Sequence, residues 1–231
     1  MKKKLYKLKR VYKTIMSLKN NFENWDDILK RQLKGLSLTK LKLSSGLSID
    51  VINVNGLRIH NEIFIQNIYE NGTVKINEGD VVLDIGANIG VFSLYASDKK
   101  TSQVYSFEPD KDNYNYLRKN VSNNNFEDKI TIFNFGLANS TGNRYLKIAN
   151  IPGGHQMLRD SEDFSDKDES ISTKTFSDFV SENNINHIDF VKIDCEGAEG
   201  EILESMTKEH FDIIQKFAVE FHDNRSIINH D

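Results

Sequence analysis

The chain predicts an α/β fold, a doubly wound and mostly parallel sheet of the Rossmann-like type, with a cap of helices and a β-hairpin ahead of it. Two observations carry this. Val81–Ser97 reads VVLDIGANIGVFSLYAS: apolar residues run into Asp84, the chain turns through Gly86 and Gly90, and Val91, Leu94 and Tyr95 then keep the spacing of one helix face. That is a buried strand, a glycine turn and a helix, the opening unit of a doubly wound sheet. From there onward apolar strand-like runs alternate with helical patterns, which calls for parallel strands joined by helical crossovers.

Composition bounds the rest. A length of 231 residues suits one α/β domain with an appendage. Hydrophobic content of 38% and charged content of 28% indicate a soluble chain, and no apolar run approaches the roughly 20 residues that span a bilayer. The N-terminus lacks the apolar core of a secretory signal, so a cytoplasmic location is expected. The lone Cys195 rules out an intrachain disulfide framework. Charge is uneven. Residues 1–40 hold twelve Lys/Arg and three Asp/Glu, a balance of +9, whereas the remainder stands at −13. An acidic body with a basic arm is not the profile of a nucleic-acid-binding domain.

The cap is expected over residues 1–75. Met1–Leu33 is poor in glycine and proline and reads as basic amphipathic helices, with Asn24 or Asp26 restarting the second; Phe22, Trp25, Ile28 and Leu29 continue the apolar stripe. Such an arm packs on its own domain, pairs with a second copy, or lies on an anionic membrane surface. Leu36–Val54 alternates apolar and polar residues around Ser44-Ser45-Gly46, the pattern of a β-hairpin. Ile59–Tyr69 is expected as a helix leading into the opening strand.

The main domain, 76–231, continues with Gln103–Glu108 as a second strand, a helix begun by Pro109-Asp110 and stopped at Asn123–Asn125, and a third strand at Lys129–Phe135. Asn143–Ile148 suggests a short further strand. Residues 150–172 show no apolar period and hold six acids against two bases, the composition of a lid or a disordered loop. Thr175–Glu182 reads as a helix, Ile188–Cys195 as a fourth strand, and Phe217–Phe221 as a fifth.

Ligands of such a sheet bind beyond the carboxyl ends of its strands. Four strands deliver a carboxylate there: Asp84, Glu108, Asp194 and Glu220. Glu108 follows Gly90 by 18 residues at the end of the adjacent strand, where a carboxylate accepts hydrogen bonds from ribose hydroxyls. A plainer role for it is support of the following helix. A nucleoside cofactor is therefore expected, either a nicotinamide dinucleotide or S-adenosylmethionine. The turn runs Asp84-x-Gly86-x-Asn88-x-Gly90 and not G-x-G-x-x-G, and an acid in front suits an ammonium and sulfonium better than a pyrophosphate. No Gly-Lys-Ser/Thr follows, which excludes a P-loop.

Three linked motifs, DIGANIG at 84–90, FEPD at 107–110 and KIDCEGAE at 192–199, together with GLANSTG at 136–142, resemble the FkbM-type family of S-adenosylmethionine-dependent methyltransferases over roughly residues 60–222. The family more often has alanine where Gly136 stands. The resemblance implies a class I methyltransferase fold, cofactor contacts at Asp84, Gly86, Asn88, Gly90 and Glu108, and methylation of a hydroxyl on a sugar, a glycan or a polyketide.

Transfer to oxygen requires the hydroxyl to be held against the methyl carbon and its proton to be removed. Asp194 and Glu196 are the candidates for base or hydroxyl anchor, with Lys192, on the same side of the strand as Asp194, keeping that carboxylate ionised. Glu199 reads equally as a first-turn helix acid. His155 and His222 are alternative bases. Asp194, Glu196, Glu220 and His222 have the chemistry for Mg²⁺, but no spacing motif supports a metal and none is expected. Cys195 reads as a small buried strand residue. A nicotinamide-dependent oxidoreductase and a non-catalytic scaffold that binds through the basic arm are the competing readings. Class I sheets commonly close with two strands beyond the fifth, yet the sequence stops 11 residues after Glu220. The expectation is a truncated C-terminus, or an edge covered by the N-terminal hairpin.

Overall fold

Five strands of alternating inward and outward residues build the central sheet. The computed structural model describes residues 2–52, 55–147, 156–157, 165 and 168–222. The chain divides into two compact units, Met1–Asn61 and Glu62–Asp231. Residues 62–75, grouped with the cap on sequence, thus belong to the larger unit.

In the first unit, α1 (Lys2–Asn21) and α2 (Trp25–Leu33) precede a hairpin of β1 (Lys40–Lys42) and β2 (Ser48–Asp50), followed by α3 (Asn55–His60). Asn24 does not cap α2 with its side chain. It bridges instead to the hairpin, donating to the carbonyl of Lys40 (3.1 Å) and accepting from the N–H of Lys42 (2.9 Å). Leu41 and Ile49 face each other across the hairpin and are both fully buried, with Ile28 and Leu38 in the same unit. The expected helix over 59–69 begins earlier and ends earlier. α3 runs on as a π-helical turn over Asn61–Ile65, and Asn67 takes a positive φ of 51° that no helix interior allows.

The larger unit begins with β3 (Val81–Ile85) and α4 (Val91–Asp98), then β4 (Gln103–Phe107), α5 (Lys111–Asn123), β5 (Ile130–Phe133), β6 (Gly136–Leu137), β7 (Gly142–Lys147), β8 (Gln156–Met157), β9 (Glu169–Lys174), α6 (Phe176–Glu182), β10 (Phe190–Ile193), α7 (Glu199–Ser205), α8 (Lys208–Asp212) and β11 (Phe217–Val219). β11, β10, β3, β4 and β5 lie side by side in that order, all parallel. Renumbered along the chain this is 3-2-1-4-5, the doubly wound order whose reversal falls between β3 and β10.

Side-chain alternation sorts the faces. Tyr105, Phe107 and Phe133 meet Phe179 of α6 at ring-centroid distances of 4.7–5.6 Å. On the opposite face Ser106 reaches Ser93 of α4 (2.8 Å), and Phe92 packs on Phe190. Layers of helix thus cover both faces, which is why β3 and β10 are buried almost throughout.

The acidic stretch 150–172 is not wholly without structure. Its described residues contribute β8 and the start of β9 to a second sheet, ordered β6-β9-β7-β8. Ile171 and Leu146 are buried by it, and Arg144 on β7 forms a buried ion pair with Glu201 of α7 (2.7 Å). Long-range pairing of short polar strands leaves little periodicity for a sequence to show. Among the described residues no helix is long and apolar enough to cross a membrane.

Candidate active site

The glycine turn folds as it does because the backbone is crowded. Gly86, Asn88 and Gly90 all take positive φ, at 79°, 51° and 87°. A Cβ on Gly86 would stand 2.0 Å from the carbonyl oxygen of Asp194, and one on Gly90 would stand 2.5 Å from Leu117. Both glycines are thus required by close packing against β10 and α5, not by a ligand alone. The five N–H groups from 86 to 90 are all committed within the fold. Gly86 and Ala87 donate to the carbonyl of Phe107, Asn88 to Glu108, Ile89 to the side chain of Asn88, and Gly90 to Ala87. None is left to cradle a phosphate.

Glu108, just past β4, is 6% exposed and pinned from both sides. Its Oε2 accepts from the Asn88 N–H (2.7 Å) and its Oε1 from the Asp110 N–H (2.9 Å). Burial pushes its carboxyl up to about 7, against the pull of those two donors. Asp110, and not Glu108, caps α5, accepting from the N–H of Asn113 (2.7 Å). Glu108 braces that cap and still lines an open cavity, together with Gly86, Asn88, Asn113, Asp194 and Glu196. Phe107, Leu146 and Met157 give the cavity an apolar wall.

Asp84 lies elsewhere. Its carboxylate is fully buried beneath α4, accepting from Ser93 Oγ (2.6 Å) and from Lys192 Nζ (3.0 Å). Strand register dictates this, since Lys192 stands directly opposite Asp84 across the β3–β10 pair. The expected contact with a cationic cofactor is thus replaced by an internal counter-ion. Lys192 also donates to the carbonyl of Gly86 (2.7 Å) and comes within 3.9 Å of Asp194. Burial alone would lower its pKa, but Asp84 and Asp194 outweigh it and the net shift is upward. Lys192 and Gly90 both sit behind the cavity wall.

The end of β10 is the charged side. Glu196 adopts a left-handed φ of 59°, ahead of Gly197, a strained turn that carries its side chain to the cavity. Glu199 opens α7 fully buried. It accepts from the N–H groups of Cys195 (3.2 Å) and Gly197 (3.1 Å) and holds His222 Nδ1 at 3.0 Å. Burial opposes its ionisation, but His222 and those N–H groups outweigh it and hold its pKa down. Glu199 thus serves the loop and the histidine, as a first-turn acid would. The same bond raises His222 to about 9, with Glu196 (3.6 Å) adding to it, so the imidazole is charged at neutral pH and holds no lone pair for a proton. Cys195 is not the buried strand residue expected: it lies past the end of β10, half-buried and on the cavity, its thiol pushed well up by burial and by Glu199, which disfavours the thiolate.

Ligand atoms of Asp194, Glu199 and His222 lie within 4.8 Å of one another, a set whose chemistry could hold a cation. Glu199 and His222 already bond each other, however, and balance their own charge. His155 lies outside the described residues. One residue escaped the sequence pattern altogether: Tyr69, from the segment ahead of β3, donates its hydroxyl to Asp194 Oδ2 (2.5 Å). It lies in Gln66–Asn71, which reads QNIYEN and matches no catalytic motif.

The methyltransferase FkbM domain profile matches residues 84–230, more than half of the chain. The chain belongs to the FkbM methyltransferase family. Curated members align at similar distances. Methyltransferase sdnD of Sordaria araneosa is 27% identical over 191 residues, covering 70% of this chain and 73% of that protein. The 31-O-demethyl-FK506 methyltransferase FkbM of Streptomyces tacrolimicus is 26% identical over 212 residues, covering 79% and 81%. Hexuronic acid methyltransferase AglP of Haloferax volcanii is 29% identical over 137 residues, covering 58% and 52%. Among solved structures, a methyltransferase FkbM from Methylobacillus flagellatus KT is similar at 22% identity and a TM-score of 0.41, over 58% of this chain and 31% of that one.

Proposed function

We propose that this FkbM-family methyltransferase uses S-adenosylmethionine to methylate a hydroxyl of a sugar, a glycan or a related metabolite. The observation that carries the reading is the pairing of Glu108 with a turn whose five N–H groups are already used. A ribose finds a carboxylate acceptor in this cavity, and a pyrophosphate finds no donor from that turn, which favours a sulfonium nucleoside over a nicotinamide dinucleotide.

When bound, S-adenosylmethionine supplies an electrophilic methyl group on a cationic sulfur. The chain's own residues do the rest. Glu108 accepts from the ribose hydroxyls, and Asp194, a carboxylate on the same cavity, accepts the acceptor's hydroxyl and takes its proton as the oxygen attacks. Glu196, also on the cavity, is a second acceptor for polar substituents. The carboxylates of Asp194 and Glu196 on the cavity favour a cationic donor. The likeness to a hexuronic acid methyltransferase supports a sugar acceptor, and the 31-O-demethyl-FK506 enzyme supports oxygen as the nucleophile.

Transfer of a labelled methyl group from S-adenosylmethionine to a panel of uronic-acid and neutral-sugar glycosides tests the reading. Label in an alkali-stable ether is the expected outcome. Label on nitrogen or sulfur, or on a carboxylate as an ester, would overturn it.

The basic arm belongs to the same proposal as a docking element. Val11, Tyr12 and Met16 of α1 are exposed, and they support its packing on a second copy or on an anionic surface.

A further inference from the structure

Asp194 is held on one side only. Its Oδ2 receives the Tyr69 hydroxyl at 2.5 Å and has Lys192 Nζ 3.9 Å away. Among the described residues nothing donates a hydrogen bond to its Oδ1. An aspartate with one oxygen clamped and the other unengaged at a cavity has a fixed direction.

Tyr69 is itself well braced. Its ring meets Phe92 edge-on at 5.3 Å between centroids, and Lys192 lies 5.5 Å from the ring centre. The residues either side are tied to α4: Tyr95 donates its hydroxyl to Asn67 (3.0 Å) and to Glu70, and Lys99 pairs with Glu70 at 2.7 Å. Glu70 in turn accepts from the N–H of Ile76 (2.7 Å). Tyr95 and Lys99 are one helical turn apart, so one face of α4 secures the whole segment. Burial, with Asp194 adding, moves the Tyr69 hydroxyl far above its ordinary range, so it stays a donor.

We propose that Tyr69 is a positioning residue, which clamps Asp194 Oδ2 so that Oδ1 is aimed into the cavity at the place where the methyl group is passed. This rests on the reading of that cavity as a donor site and adds to it a residue from outside the family-matched segment. The clamp has an electrostatic consequence independent of the acceptor. An anion held at a fixed distance from a sulfonium favours the charged donor over its neutral thioether product, and this preference fades when the anion is free to turn away.

Calorimetry with S-adenosylmethionine and S-adenosylhomocysteine on the full chain and on Tyr69→Phe tests this, alongside proton NMR of the hydroxyl. Tyr69→Phe keeps the ring on Phe92 and removes only the donor. The preference for S-adenosylmethionine should fall about threefold or more while affinity for S-adenosylhomocysteine stays within about twofold. A far-downfield hydroxyl proton should be present in the parent, lost in Tyr69→Phe and moved upfield in Asp194→Ala. An unchanged preference, an equal loss of both affinities, or a hydroxyl proton unmoved by Asp194→Ala overturns the inference. A parent chain that binds neither ligand overturns the donor reading itself, which is a separate outcome.

Discussion

The two walls of the cavity are built on opposite principles. On the turn side, Gly86–Gly90 and Glu108 form a closed system in which every N–H of the turn has a partner and the glycines are wedged against β10 and α5. On the other side, Asp194 and Glu196 line the cavity at a strained loop, with the charged groups of Glu199 and His222 next to that loop and with Tyr69 and Lys192 behind Asp194. The first wall is rigid and nearly neutral in its demands. The second carries charge that is only partly balanced. On the function we propose, binding and chemistry are thereby separated, with shape assigned to one wall and proton movement to the other.

The largest effect should come from the charged wall. Asp194→Asn keeps the size of the side chain and removes its ability to take a proton, so methyl transfer should fall by about 10²–10⁴. Affinity for S-adenosylhomocysteine should change little. If both fall together, the two walls are not functionally distinct.

Lys192→Met is expected to act on stability first. It leaves Asp84 buried with no counter-ion, at a cost of about 3–5 kcal/mol, read as a fall of roughly 10 °C in melting midpoint. Adding Asp84→Asn should recover part of it. No recovery would mean that Lys192 is held by something other than this pair.

Glu108 gives a pH signature. Its carboxyl is raised to about 7 by burial, so between its ordinary 4.5 and 7 the folded chain binds more protons than the unfolded one. Stability should therefore decline as pH rises through that window, by up to about 3 kcal/mol, and Glu108→Gln should flatten the decline in chemical denaturation. A smaller, similarly directed effect is expected from His222. Raised to about 9 chiefly by Glu199, its contribution is complete below pH 6.5 and is lost as pH rises through 9. Glu199→Gln should remove that limb, and a limb that persists would assign it to Glu196.

Legibility in the sequence follows the same division. The turn wall was readable because it is local: strand, turn and helix within 81–98, and one acid at the end of the next strand. The pairing of Lys192 with Asp84 depends on register between β10 and β3, which no sequence pattern displays, and so Asp84 was expected at the cofactor and not beneath α4. Tyr69 reaches Asp194 across 125 residues. The second sheet escaped because β6 and β8 are two residues long and carry no period. Side-chain direction at the charged wall was equally hidden, since a positive φ at Glu196 is set by the turn it must make and not by its own preference.

The central claim is that Glu108 is the nucleoside acceptor of this cavity, and titrating S-adenosylhomocysteine into the parent chain and Glu108→Ala at pH 8 tests it most directly. The account predicts one site in the parent and a weakening of about tenfold to a hundredfold in the variant, the loss of hydrogen bonds to a charged group. Equal affinity in the two chains, or heat released by NAD and none by S-adenosylhomocysteine, would contradict it.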